Sequence, residues 1–283
     1  MKQALSPLSY ITYQLGEINV GNLHKRIKAG KKNDEIYQLS AALNKMLGNL
    51  EESIRLQKTF AANVTHELKG PLTGLMSEVE QALLKDHSPQ EYKQMLVSFQ
   101  ERLQSFNRMS NDILKLMELN FDVSRISLIP LRLDELVWLA VAEMKKRIPG
   151  REVSVDIQVE DHNIPDSFYV IHGNKELLLV AIGNVLDNAA KYSSSNALIE
   201  VILRLNKNKG NTIEINDHGV GMKQEDLSNI GQPFFRAESV KHILGHGIGL
   251  SLVKQIMNIH NAFVDIKSVP GYGTSVHFNF PIK

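Results

Sequence analysis

At 283 residues, 43% hydrophobic and 22% charged, the chain is long enough for two domains or one domain with helical additions. Its composition excludes a wholly disordered or collagen-like molecule. The 32 basic and 31 acidic residues leave a formal charge of +1, so no global field recruits nucleic acid or an anionic membrane surface. The lack of cysteine excludes disulfides, thiolate nucleophiles and cysteine metal sites.

Residues 1–57 read as two helices. Leu8, Ile11, Leu15 and Ile18, introduced by Pro7, recur at three- and four-residue steps along one helix face. Gly21 and Asn22 interrupt that stripe, and a basic segment from Leu23 to Lys32, containing Gly30, follows. Asn33 and Asp34 are natural N-caps for a second helix carrying Ile36, Leu39, Leu43, Met46, Leu47, Leu50 and Ile54. With no stop signal it runs on through Phe60, Val64, Leu68, Leu72, Leu75, Val79 and Leu83, a seam of coiled-coil type ended by His87, Ser88 and Pro89. A third helix presents Leu96, Phe99, Leu103, Phe106, Ile113 and Leu116. A hairpin over 58–121 is too shallow to bury both stripes, which predicts a homodimer closing a four-helix bundle.

From about residue 130 the pattern changes. Helical stretches (132–148, 174–192, 247–260) alternate with strand-like runs (152–159, 198–205, 212–216, 263–269, 275–280). This predicts an α/β sandwich over 130–283. The segment 219–249 is long and rich in glycine, and such loops in compact domains are usually functional. No stretch reaches the roughly 20 apolar residues of a membrane span, and no signal peptide opens the chain. Leu177–Ile182, the most apolar run, is soon followed by Asn184, Asp187 and Asn188.

Five constellations carry candidate chemistry. His66-Glu67 lies about 200° around the helix from Val64, away from the apolar seam. An exposed imidazole is partly neutral at pH 7 and can act as a nucleophile, with the adjacent carboxylate orienting its other nitrogen; a surface histidine without a role is the plain alternative. Pro71 and Gly70 predict a loosened or kinked turn there, because proline has no N–H for the carbonyl of Glu67. Asn184, Asn188 and Lys191 fall at i, i+4 and i+7 on one helix face. Two amides and an ammonium suit a phosphate–Mg²⁺ group, or simply a solvated face. Asp217-His218-Gly219-Val220-Gly221 follows a strand, where a carboxylate can accept from an exocyclic amine and glycines let backbone approach a flat ring. Gly245-His246-Gly247-Ile248-Gly249-Leu250 leads into a helix and offers free N–H groups to an anion, without Rossmann or Walker spacing. Between them, Phe234 and Phe235 can anchor a lid and Arg236 can approach phosphate; a small satellite core explains the same residues.

In order and spacing these motifs closely resemble the H, N, G1, F, G2 and G3 boxes of two-component sensor histidine kinases, the last being Gly271-x-Gly273-Thr274. Residues 1–57 resemble a HAMP signal-relay segment, marked by Pro7-Leu8, Gly21-Asn22-Leu23 and Asp34-Glu35-Ile36. The resemblance implies ATP and Mg²⁺ as cofactors. His66 is then the phospho-acceptor, passing the phosphoryl group to an aspartate on a response-regulator receiver domain, and Glu67 activates it. Asn188 and Asn184 hold Mg²⁺ or phosphate, Lys191 meets the phosphates and Tyr192 flanks the nucleotide. Asp217 reads the adenine amine, Gly219, Gly221 and Thr274 line its pocket, and Phe235, Arg236, Gly245, Gly247 and Gly249 belong to a lid spanning about 222–246 and its hinge. A linker near Asp122–Ile129 lets one domain swing onto the other. HAMP segments normally follow a transmembrane helix, which implies the cytoplasmic portion of a bacterial inner-membrane protein. In members that also dephosphorylate their regulator, Thr or Asn stands four residues after the histidine. Gly70 stands there, implying weak phosphatase activity. A gyrase- or chaperone-type ATPase of the same nucleotide fold, or a non-catalytic relay scaffold, is the alternative.

Overall fold

The computed structural model describes residues 2–28, 35–121, 126–159, 165–208, 210–241, 243 and 245–282. The expected caps Asn33 and Asp34, Gly30 and Lys32 of the basic segment, and residues 122–125 of the expected linker lie outside them.

Helix α1 (Lys2–Gly16) begins before Pro7, so Pro7 lies within the helix rather than at its start. The chain then turns on an asparagine. Asn22 Oδ1 accepts from the Asn19 N–H (2.7 Å) while its Nδ2 donates to the Glu17 carbonyl (2.9 Å), an Asx-type device available to few side chains. Beyond it the segment read as basic contributes two core residues. Leu23 and Ile27 are buried with Ile11 and Leu47, and Leu15, Ile18, Ile36, Leu43 and Ile54 pack against them. Asn44 fixes the connector, accepting from the Ile27 N–H (2.8 Å) and donating to its carbonyl (2.9 Å).

Helix α2 (Glu35–Leu83) is a single 49-residue helix that passes through Pro71 without interruption. The expected loosening does not break it, because proline removes one donor and the flanking turns keep theirs. Helix α3 (Pro89–Phe121) starts with a reciprocal capping box. Glu91 Oε2 accepts from the Ser88 N–H (2.7 Å) and hydroxyl (2.8 Å), and Ser88 Oγ accepts from the Glu91 N–H (3.3 Å). Arg102 and Glu78 tie α3 to α2 at 2.8 Å.

The sandwich comprises β1 (Ile129–Arg132), α4 (Leu133–Arg147), β2 (Val153–Val159), β3 (Val170–Gly173), α5 (Lys175–Tyr192), β4 (Ile199–Asn206), β5 (Gly210–Asp217), α6 (Gln224–Leu227), α7 (Gly249–Ile259), β6 (Phe263–Val269) and β7 (Gly273–Phe280). Five strands form one sheet in the order β2-β4-β5-β7-β6, with β2–β4 parallel and the other pairs antiparallel. A separate antiparallel ribbon pairs β1 with β3; its four-residue strands are too short to show a period. Alternation decides the layers. Ile199, Val201, Leu203, Ile213, Ile215, Val276 and Phe278 point to one face and are buried. The opposite face is polar, with Arg204–Glu214 paired at 3.0 Å and Thr212–Asn279 hydrogen-bonded at 3.0 Å. Leu133, Val137, Leu178, Leu186, Leu252 and Ile256 from α4, α5 and α7 complete the core.

Two contacts position the site. The lower half of α3 buries Met109, Ile113, Leu116 and Leu119, and Gln255 of α7 donates to the Leu119 carbonyl at 3.2 Å. His260, just past α7, accepts at Nε2 from the Asn174 N–H (2.9 Å) and donates from Nδ1 to the Ile256 carbonyl (2.7 Å). Asn174 in turn caps α5 by accepting from the Leu177 N–H at 3.1 Å.

Candidate functional site

One cavity of about 910 Å³ opens beside α5, within the roughly 300–1,000 Å³ typical of small-molecule sites. Asn184, Asn188, Lys191, Tyr192, Asp217, Gly221, Phe235, Arg236, Gly245, Gly247, Gly249 and Thr274 all line it. Residues separated by up to ninety positions thus converge. Gly219 stands behind this wall and orients Asp217. Its N–H donates to Asp217 Oδ1 at 2.8 Å, and the Thr274 N–H donates to the same oxygen at 3.2 Å. Both bonds fall on Oδ1, which leaves Oδ2 for a donor in the cavity. Burial pushes the Asp217 carboxyl up, against the stabilising pull of those two N–H groups. The close backbone here requires glycine at Gly273 (φ 117°), where a Cβ would stand 1.9 Å from the Asp217 carbonyl oxygen.

The helix face of α5 meets the glycine-rich turn. Val185, Leu186 and Ala189 are buried, while Asn184, Asn188 and Lys191 are half-buried toward the cavity. Asn184 Nδ2 donates to the Val180 carbonyl at 3.0 Å. Its Oδ1 faces Gly249, where a Cβ would come within 2.6 Å. The Asn188 amide has no hydrogen-bond partner among the described residues. Lys191 Nζ donates to the Tyr192 hydroxyl at 3.2 Å and lies 4.8 Å from that ring's centre. Burial, with Arg236 nearby, lowers the lysine to about 8. A cation so poorly solvated gains strongly from an anion.

Arg236 lines the cavity and is also engaged within the lid. Its Nη2 donates to the carbonyls of Val240 (2.6 Å), Lys241 (3.2 Å) and Ile243, strapping the lid to itself, and its Nε is buried without a partner among the described residues. Phe234 adopts φ 68° and donates its N–H to the Gly247 carbonyl at 2.9 Å, joining the F motif to the glycine turn.

His66 is exposed on α2 and Glu67 beside it is half-buried. Neither lines the cavity. Several residues that sequence reasoning passed over do, among them Glu101, Arg108 and Asp112 from α3, Arg147 from α4, and His246. Burial pushes Asp112 up to about 6, with Asp187 adding to the rise and Lys115 and Arg108 opposing it. Asp187 pairs with Arg147 at 2.8 Å. Arg108 and Asp112 carry no local signal, because only the packing of α3 brings them here; His246 was legible through its place between two glycines.

Fold and site define a nucleotide-binding α/β sandwich joined to a helical hairpin. Three family models match: the HAMP domain over 1–52, the His Kinase A (phospho-acceptor) domain over 56–120, and the histidine kinase-, DNA gyrase B-, and HSP90-like ATPase over 173–283. Carrying all three in this order, the chain belongs to the two-component sensor histidine kinases. Sensor protein QseC of Escherichia coli K12 is 26% identical over 261 residues, covering 92% of this chain and 56% of that protein. The histidine-protein kinase ArlS of Staphylococcus aureus is 27% identical over 283 residues, covering 98% and 60%. The chain thus spans little more than half the length of these relatives. Among solved structures, histidine kinase ThkA in complex with response regulator protein TrrA matches with TM-score 0.64 at 15% identity, over 82% of this chain and 64% of that one. Acinetobacter baumannii histidine kinase AdeS matches with TM-score 0.57 at 14% identity, over 76% and 98%. At these identities the likeness is one of fold.

Proposed function

We propose that this chain binds ATP in the α5 cavity, transfers its γ-phosphoryl group to the imidazole of His66, and passes that group to an aspartate of a response-regulator receiver domain. In the first step the bond from the γ-phosphorus to the β–γ bridging oxygen breaks and a phosphorus–nitrogen bond forms. ADP leaves, and Glu67 takes up the imidazole proton. Positioning and charge neutralisation supply most of the acceleration in such transfers.

The observation that carries this reading is the pair of amides, Asn184 and Asn188, beside Lys191 on the cavity wall. An amide cannot accept a proton at neutral pH, so the wall orients phosphate without activating water. That favours delivery to a protein nucleophile over the ATPase alternative. Asp217 selects the base through its exocyclic amine, and Lys191 meets the phosphates.

The donor set fits Mg²⁺. Asn184 Oδ1 faces the space that Gly249 leaves open, the Asn188 amide is unengaged, and amide oxygens suit a hard cation. Among the described residues no group of three His, Asp or Glu could hold a metal alone, so nucleotide oxygens would complete its shell. When bound, the cation neutralises phosphate charge.

We further read the chain as a homodimer assembled along α2 and α3, and as part of a membrane-linked receptor. Apolar residues left on the hairpin surface support the first reading and the HAMP match the second. Among the described residues no helix is long and apolar enough to cross a membrane.

Incubation with γ-labelled ATP tests the proposal. His66→Gln should remove acid-labile label while leaving ATP affinity near normal, and the label of the unmodified chain should move to a receiver domain. Label retained in the variant would overturn the assignment. Gly70 also bears on output. A Cβ there meets nothing within 4 Å, so Gly70→Thr should be tolerated and should raise dephosphorylation of the regulator above the weak level of the unmodified chain. The idea fails if the unmodified chain, with Mg²⁺ and ADP, already clears phosphorylated regulator much faster than the regulator clears itself.

A further inference from the structure

His246 lies in the glycine-rich turn between Gly245 (φ 158°) and Gly247 (φ 69°), and it lines the cavity. Its Nε2 is buried and has no hydrogen-bond partner among the described residues. A buried polar nitrogen left without a partner is a cost to the fold, and on a residue that lines a ligand cavity a small rotation of the ring lets a ligand supply the partner. Three cations surround it: Lys191 from α5, Arg236 from the lid and Arg108 from α3. Of the carboxylates that line the cavity, Glu101, Asp112, Asp187 and Asp217, the three aspartates engage other groups. Asp112 and Asp187 face Lys115, Arg147 and Arg108, and Asp217 accepts from backbone N–H groups.

We propose that the His246 side chain is itself a ligand of the nucleotide's polyphosphate, donating from Nε2 as an imidazolium, so that nucleotide binding takes up a proton. The inference rests on the reading of this cavity as the ATP site. In the free protein, burial and then the charges of Lys191, Arg236 and Arg108 hold the imidazole below the usual histidine range. A bound polyphosphate reverses that field, because several negative charges then stand among the three cations. The proton comes from solvent, and by linkage a nucleotide that prefers the protonated form binds more tightly as pH falls. Each factor of ten in that preference raises the imidazole pKa by about one.

Calorimetry on the whole chain with Mg²⁺ and AMP-PNP, near pH 7 in two buffers of different ionisation heat, counts the protons. The unmodified chain should take up a substantial fraction of a proton with AMP-PNP and none with adenosine, which has no phosphate. In His246→Gln the uptake should fall, and the several-fold loss of affinity from pH 6.5 to 8 should flatten. Lys191 also titrates toward 8 but is present in both chains, so the difference belongs to His246. Equal uptake in the two chains overturns the inference. Failure of AMP-PNP to bind the folded unmodified chain overturns the ATP-site reading beneath it. Should the variant not fold, the His246 ring resonance of the unmodified chain decides. Its titration midpoint, below the usual histidine range in the free protein, should rise on saturation with AMP-PNP, and an unmoved midpoint overturns the inference.

Discussion

In the sandwich, every second residue of β4, β5 and β7 turns inward onto α4, α5 and α7, and Leu203, Ile213 and Phe278 are fully buried. Along the hairpin the same kinds of side chain stay on the surface: Leu72, Met76, Val79, Leu83 and Leu96 are all exposed. Both regions have apolar stripes of the right period. A sheet can be covered by helices from its own chain, whereas two helices have no third layer to put over their outer stripe. The sandwich therefore closes its own core, and the hairpin leaves an apolar stripe uncovered. The cavity beside α5 lies where one face of α3 departs from this rule, burying Met109, Ile113 and Leu116 within the chain.

The sharpest way to break this contrast is to remove comparable apolar groups from each region. Phe278→Ala, from a fully buried site, should cost about 3–5 kcal/mol and unfold the nucleotide domain at moderate temperature. Leu83→Ser, at 79% exposure in the single chain, should change the stability of the sandwich by no more than about 0.5 kcal/mol and act instead on assembly. Chemical denaturation followed by Trp138 fluorescence distinguishes the two, and equal losses would show that the hairpin stripe is core after all. Leu68→Asp, on the same seam, should abolish the dimer in light scattering by placing like charges across the axis.

Within the sandwich, Asp217→Asn separates fold from the proposed recognition. The amide oxygen can keep the two N–H bonds now made to Oδ1, but the charge proposed to meet the adenine amine is lost. ATP affinity should fall by about one to two decades, the equivalent of roughly 1.5–3 kcal/mol. Unchanged affinity, with ATP still preferred over GTP, would place the base contact elsewhere.

The smallest effect is a pH slope. His260 is 7% exposed, accepts one backbone N–H and donates to one carbonyl, so the fold requires it neutral, and burial holds it below 6.5. The unfolded chain binds the proton first as pH falls. Its contribution to stability is thus present above about 6.5 and is lost as pH falls through that value, at no more than about 1.4 kcal/mol per pH unit. The melting temperature of the unmodified chain should therefore drop more between pH 7.5 and 5.5 than that of His260→Gln. Parallel curves would mean that the ring titrates normally. His246 and Asp112, shifted in opposite directions, are common to both chains and cancel in the comparison.

Much of this was legible without coordinates because it is written in local chemistry. Periods of 3.6 and 2 located α5, α7 and the five sheet strands to within a few residues, since each is long enough to repeat its pattern. The glycine turns and Asp217 announced themselves by composition. The ribbon of β1 and β3 was too short to show a period. The burial of Leu23 and Ile27 stayed hidden because an extended connector takes its inward positions from the helices it docks on, here through Asn44.

By itself, the sequence determined most of the longer helices and strands, which of their faces are apolar and which side chains have the chemistry to meet phosphate, metal or proton. Those properties depend on neighbours within a few residues. Tertiary structure alone decided that Arg108 and Asp112 of α3 share a cavity with Lys191, that Arg236 holds its own lid, and that a histidine nitrogen in the glycine turn is left without a partner. Such facts come from close packing between elements far apart in the chain, where a shift of one turn changes which groups meet and how much water remains between them.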